Sequence, residues 1–236
     1  MEHPFIREEM MLGADAMERL RNSHVMVFGI GGVGSYAAEG LARAGVGALT
    51  LIDNDTVSIT NINRQLCALH STVGRYKSDV MAERILDINP DCRVRSMPLL
   101  YNEESKEQFF TEPCDFIVDA IDLVSCKLSL IMTARERGIP MISAMGTGNK
   151  LDPTQFEITD ISKTQHCHLA RIMRKELRNR GVINHTVLYS KEEPVKPTQF
   201  EEPPPGRRSV PGSLSWVPSC AGLMMAGHVI RTLAKP

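Results

Sequence analysis

The sequence predicts an α/β fold, a doubly wound and mostly parallel sheet with helices on both faces. Two observations carry this. Short β-branched apolar runs alternate with helical stretches over the first 150 residues. Apart from the alternating run Arg93–Leu99, the runs are also continuous, as expected of parallel strands buried on both faces. Residues 10–22 read as an amphipathic helix leading into the strand Val25–Phe28. Gly29-Ile-Gly-Gly-Val-Gly34 follows, and Ser35–Ala44 is helical, with Gly45 where a helix C-terminus takes a left-handed residue. Leu49–Asp53 is the next strand, Asn54–Gln65 a polar connection and Ser78–Asn89 a helix stopped by Pro90. Strand Arg93–Leu99, an acidic helix at 103–110, strand Asp115–Ile121, helix Ser125–Arg137 and strand Met141–Met145 complete the alternation.

The second part differs. Phe156–Ile161 and His185–Ser190 suit strands, and Leu169–Arg180 and Ser219–Leu233 suit helices. They form a C-terminal extension completing the sheet. Lys191–Gly212 is rich in Pro, Glu and Lys, and we expect a mobile loop there. With neither a repeat nor a composition break, 1–236 is expected to be one domain. Its nucleotide-binding half would be 1–150 and its substrate-side half 151–236.

Composition sets outer limits. A length of 236 residues and 42% hydrophobic content suffice for a full core. The net charge of −1 excludes a global basic field, so any nucleic-acid contact must be a local patch. Six cysteines at irregular spacing, with no C-x-x-C, suggest reduced thiols. The first residues lack a signal peptide's apolar core, and Ala221–Ile230 is too short to span a bilayer. The expected location is cytoplasmic, without membrane contact.

The glycines give G-x-G-x-x-G between a strand and a helix, the Rossmann-like phosphate-binding arrangement. Gly29, Gly31, Gly32 and Gly34 would let backbone amides approach a phosphate beside a helix N-terminus. Asp53, about 20 residues further on, stands where an acid takes ribose hydroxyls. Other charged and amide residues recur at element ends: Asp55, Asn61, Arg64, Lys77 and Asp119-Ala-Ile-Asp122. A hydride-transfer site has no use for several cations near the phosphates, whereas a nucleotidyl-transfer site does. Arg64 and Lys77 could hold phosphates as fork and point charge, and Asp122 could hold Mg²⁺. Plainer roles exist: Arg64 and Asp122 could cap helices, and Lys77 could be a solvated loop lysine. Arg171, Arg174, Lys175, Arg178 and Arg180 place five cations in about three turns of one helix. That helix is a candidate nucleic-acid contact or a solvated face.

These motifs, in this order, together resemble the ubiquitin-activating-like superfamily, the ThiF and MoeB group. Within it, Ile62-Asn-Arg-Gln-Leu66, Asp87-Ile-Asn-Pro90, Asp152-Pro-Thr-Gln155, Tyr189-Ser-Lys-Glu-Glu-Pro194 and Ser219-Cys-Ala-Gly222 are most similar to the tRNA threonylcarbamoyladenosine dehydratases. The resemblance implies ATP-dependent adenylation of a carboxylate on tRNA, then ring closure with net loss of water. It implies Asp53 and Asp55 at the nucleotide, Asn61, Arg64 and Lys77 at the phosphates, and Mg²⁺ on Asp122. It further implies a homodimer whose Arg7 completes the partner's site, and an association with cysteine desulfurase or sulfur-relay proteins. Two departures stand out. Relatives often carry paired C-x-x-C motifs for zinc, absent here, and some form a thioester for which only Cys167 has suggestive neighbours. The alternative reading is adenylation of the C-terminus of a ubiquitin-like sulfur-carrier protein.

Overall fold

The computed structural model describes residues 3–198 and 210–235. Its chain runs α1 (Ile6–Leu12), α2 (Ala14–Arg21), β1 (His24–Phe28), α3 (Gly34–Arg43) and β2 (Ala48–Ile52). Then come α4 (Lys77–Ile88), β3 (Arg93–Met97), β4 (Phe116–Asp119), α5 (Val124–Glu136) and β5 (Met141–Ala144). β6 (Phe156–Asp160), α6 (His168–Asn179), β7 (Thr186–Ser190) and α7 (Trp216–Leu233) close the sequence of elements. The seven strands form one sheet in the order β3-β2-β1-β4-β5-β7-β6. All pairs are parallel except β6 with β7. The fold is therefore the α/β, Rossmann-like doubly wound sheet the sequence predicts, with β7 and β6 as its C-terminal extension.

Every residue of β1, β2 and β4 is buried, which explains their unbroken apolar runs. Alternate residues feed opposite faces. Val25, Val27, Leu49, Leu51 and Val118 pack under α3, α4 and α7. Met26, Phe28, Ile52 and Ile117 pack under α5 and the Tyr101–Phe109 segment. Burying a side chain the size of Phe28 contributes about 2 kcal/mol. Helices on both faces leave the strand ends as the place for ligands. The chain reverses between β1 and β4, so a crevice opens at their C-terminal ends.

Some elements differ from expectation. The helix expected at 10–22 is two helices, broken at Gly13, whose φ of +84° no side chain tolerates cheaply. The expected helix at 103–110 shrinks to one turn, Lys106–Gln108. Its first residues are captured instead: Asn102 Oδ1 accepts from the Ser105 N–H, and Ser105 Oγ accepts from the Asn102 N–H. Of the expected mobile loop 191–212, residues 199–209 lie outside the described residues. Both described ends are fastened to one place. Val195 N–H donates to the Asn149 carbonyl, and Gly212 N–H to Asn149 Oδ1. No helix among the described residues is long and apolar enough to cross a membrane.

Candidate functional site

A cleft of about 480 Å³ lies at the switch point. Gly29, Gly31 and Gly32, Asp53 and Asp55, Arg64, Gln65 and Lys77, and Asp122 all line it. Backbone contacts set its floor. A Cβ on Gly34 would sit 1.7 Å from the Gly29 carbonyl oxygen, and one on Gly29 2.7 Å from that of Ala120. The loop is thus closed against itself and against the turn after β4 with no room for side chains. A Cβ on Gly31 would meet only Gln65 Nε2, at 3.8 Å. Its lack of a side chain serves the open cleft rather than the packing.

Asp53 ends β2 and clamps two backbone amides. Its Oδ2 accepts from Ile30 N–H at 2.6 Å and its Oδ1 from Asp55 N–H at 2.8 Å. Burial raises its pKa, while the Lys77 charge and these hydrogen bonds pull the other way. Each carboxylate oxygen keeps a further lone pair for a ligand hydroxyl. Lys77 opens α4 and is 6% exposed. Its ammonium donates to Asp55 Oδ2 at 2.7 Å, and its backbone N–H to the Asp55 carbonyl at 3.0 Å. Asp55 therefore aims Lys77. Arg64, half-buried, donates from Nη1 to the Thr60 carbonyl and Asn63 Oδ1, and burial lowers its pKa. The cleft thus brings two cations and three carboxylates together beside a glycine loop, as a nucleotide triphosphate site requires.

Asn61 is placed differently. It does not line the cleft, and its Oδ1 accepts from Ser58 N–H at 3.0 Å. Its carbonyl accepts from Arg64 and Gln65 N–H, so it builds the turn that presents those two side chains. Arg7 sits exposed on α1 and does not line its own chain's cleft. Asp122 stands exposed at the cleft edge, beyond the fully buried Asp119. No group of three or more His, Cys, Asp or Glu able to hold a metal occurs among the described residues. One carboxylate beside a phosphate site fits Mg²⁺ that arrives with a nucleotide, since Mg²⁺ keeps waters and phosphate oxygens as ligands.

Sequence reasoning missed the apolar end of the cleft, made by Phe28, Leu99, Leu100, Tyr101 and Leu123. Leu99, Leu100 and Leu123 are 42–50% exposed, and the strand ending at Met97 rather than at the expected Leu99 leaves Leu99 and Leu100 on the cleft. Gln65, Thr147 and Pro218 were also missed as lining residues.

On α6, Arg171, Lys175 and Arg178 are exposed and share one face. Arg174 turns inward, donating to the carbonyls of Ile161 and Thr164 and to Thr164 Oγ1. Cys167 is 8% exposed and caps α6, its sulfur accepting from Ala170 N–H. Its neighbours are engaged elsewhere, His166 with Glu193 and His168 with Arg171. Burial pushes the Cys67 thiol, near Lys77, up to about 11, which leaves it inert at neutral pH.

The sequence pattern of the ThiF family matches residues 6–236. The chain belongs to this family. It is 46% identical over 244 residues to the tRNA threonylcarbamoyladenosine dehydratase of Bacillus subtilis, covering 100% of this chain and 96% of that protein. Among solved structures it resembles the E. coli tRNA N6-threonylcarbamoyladenosine dehydratase, TcdA, in complex with ATP. The TM-score is 0.87 at 36% identity, over 97% of this chain and 93% of that one. The same E. coli protein in complex with AMP matches with a TM-score of 0.89 and the same identity and coverage.

Proposed function

We infer that this chain is an ATP-dependent tRNA threonylcarbamoyladenosine dehydratase. The observation that carries this is its full-length similarity to the B. subtilis enzyme, together with a cleft whose charges suit ATP. The substrate carboxylate attacks the α-phosphorus, forming an acyl-adenylate and releasing pyrophosphate. The carbamoyl nitrogen of the same side chain then attacks the acyl carbon, loses its proton and expels AMP. The nucleoside loses one water in net terms. Both reacting groups belong to one side chain, so closure needs alignment rather than an enzyme nucleophile.

Position in the cleft supports the following roles. The Gly29–Gly34 loop takes phosphate on its backbone amides, and Asp53 takes ribose hydroxyls. Arg64 and Lys77 face the charge that grows on the phosphate oxygens, with Asn61 and Asp55 holding each in place. Asp122 would hold Mg²⁺, which neutralises the triphosphate when bound. The exposed stripe Arg171, Lys175 and Arg178 takes tRNA phosphates, while the inward-facing Arg174 does less there. The half up to residue 150 handles the nucleotide and the remainder faces the tRNA. A cytoplasmic homodimer in which Arg7 reaches the partner's cleft, and an association with a cysteine desulfurase or sulfur relay, complete the proposal.

The test incubates purified protein, ATP and Mg²⁺ with tRNA bearing threonylcarbamoyladenosine and follows the nucleoside by mass spectrometry. Loss of one water, dependent on ATP, is the expected result. An untouched nucleoside, with adenylation of a carrier protein ending in Gly-Gly instead, would establish the alternative. Tighter calorimetric binding of NAD than of ATP with Mg²⁺ would overturn both.

A further inference from the structure

Beneath the cleft lies an ion pair that the mechanism does not use. Asp119 and Lys127 are both 0% exposed, and Lys127 Nζ donates to Asp119 Oδ2 at 2.6 Å. Replacing such a pair by apolar side chains often leaves a fold as stable or more so, so stability alone does not account for keeping it. The geometry supplies another reason. Asp119 is the last residue of β4, paired with Phe28 on β1 and Ser143 on β5. Its other oxygen, Oδ1, accepts from the Ile121 N–H at 3.1 Å. Ala120 N–H donates to the Phe28 carbonyl at 2.8 Å. The turn 119–122 is thereby held at two amides, and its other side abuts Gly29. Asp122 is the next residue and faces the cleft.

The carboxylate can hold the Ile121 amide only while its plane keeps one setting about the Cβ–Cγ bond, a half-turn being equivalent. Lys127, one turn into α5, fixes that orientation from below by occupying the opposite oxygen. We propose that Lys127 is a positioning residue for adenylation: acting through Asp119, it holds the 120–122 turn so that the Asp122 carboxylate meets nucleotide-bound Mg²⁺. This rests on the reading of Asp122 as the metal-holding side chain.

The pair spans a strand end and a helix, so breaking it one partner at a time leaves a buried uncompensated charge and endangers the fold. The informative variant is Asp119→Val with Lys127→Met, which removes both charges at similar volume. Its thermal unfolding should stay close to wild type. Calorimetry with ATP, in Mg²⁺ and then in EDTA, reads the positioning without any tRNA. Wild type should bind ATP about tenfold tighter with Mg²⁺, and the double variant should lose that enhancement, as Asp122→Asn should. Lys127→Arg, which keeps the pair, should retain it. Amide exchange of the 119–123 segment should accelerate in the double variant while α7 stays protected. A folded double variant that keeps the full Mg²⁺ enhancement and slow exchange at 119–123 overturns the proposal. If Asp122→Asn itself keeps the enhancement, the metal reading of Asp122 fails, and the proposal fails with it. Unchanged exchange would instead locate the failure in Lys127.

Discussion

The cleft cations and the α6 cations make opposite use of the same residue types. Lys77 is 6% exposed and donates to Asp55, while Arg64 is half-buried and donates to its own turn. Arg171, Lys175 and Arg178 stand in water on an exposed helix face. A buried, aimed cation loses little by reorganising when charge appears beside it, and in a low dielectric it acts strongly. An exposed cation is screened within about 8 Å at physiological salt and attracts any polyanion. The first arrangement suits a reaction coordinate and the second suits holding a large nucleic acid. The difference is carried by backbone. In the cleft, glycine contacts and the Asp53 clamp leave no slack, whereas the exposed α6 cations project from a helix face, with Arg171 held only by a neighbouring histidine on the same helix.

The comparison breaks most sharply at Gly34. Its α-hydrogen faces the Gly29 carbonyl, and a methyl there would lie 1.7 Å from that oxygen. Gly34→Ala must open the loop, so it should destabilise the fold by about 3 kcal/mol and weaken ATP at least ~100-fold. Gly31→Ala is the control, since a Cβ there makes only an ordinary contact with Gln65 Nε2, at 3.8 Å. It should melt like wild type and still weaken ATP, because only the ligand's approach is blocked. Equal melting of the two variants would show that the loop is not preorganised as described.

A second test asks whether one chain's cleft is complete. Arg7 is exposed and away from its own cleft, while Ile6, Met10 and Met11 on the same short helix are 39–83% exposed. If a partner chain covers that face, Arg7 can reach the partner's triphosphate. Arg7→Ala and Asp122→Asn should then each lose about 100-fold in turnover. Mixed heterodimers of the two should regain about one working site, because one cleft receives both intact groups. Confirmed heterodimers without recovery would rule out action in trans.

The substrate-side half has its own buried group, and it tests whether preorganisation stops at the cleft. His185 is 7% exposed, with Nε2 at 2.8 Å from Ser143 Oγ. Burial, then the nearby Lys127 charge, bring its pKa down from 6.5 to about 4. The unfolded chain therefore binds a proton first as pH falls. Stability from this group is complete above about pH 6.5 and is lost progressively toward pH 4, by about 3 kcal/mol in all. Urea unfolding at pH 7.5 and 4.5 should show that loss in wild type, with a smaller one in His185→Gln. Equal slopes in the two proteins would mean His185 titrates normally.

How much of this was legible follows the same division. Gly29, Gly34 and Asp53 were readable because backbone geometry dictates residue type there. The order of elements was readable because both sheet faces need apolar residues. Asn61 was readable as a motif member, yet its side chain turns to Ser58, a direction set by a local turn that spacing does not encode. Leu99, Leu100, Tyr101 and Leu123 sit between elements, and only the sheet order brings them to one cleft. Nothing in the sequence distinguishes Lys127 from other helix lysines, because only the fold brings it to Asp119 at the strand end.

The smallest effect separates four cations that the sequence treats alike. Arg171, Lys175 and Arg178 follow one another at helical spacing and face solvent, whereas Arg174 holds the carbonyls of Ile161 and Thr164. Neutralising any of the exposed three to Gln should weaken tRNA binding only a few-fold. It should also reduce the slope of log affinity against log salt by about 0.7–0.9 per charge, because each removes one released counterion. Arg174→Gln should leave that slope unchanged. It should instead lower the melting temperature, since two carbonyls lose a charged donor. Filter binding at several salt concentrations, beside thermal melts, distinguishes these outcomes. A slope change at Arg174 equal to that at Arg178 would show that Arg174 swings outward to the nucleic acid. An unchanged slope in all four variants would remove α6 from the tRNA path altogether.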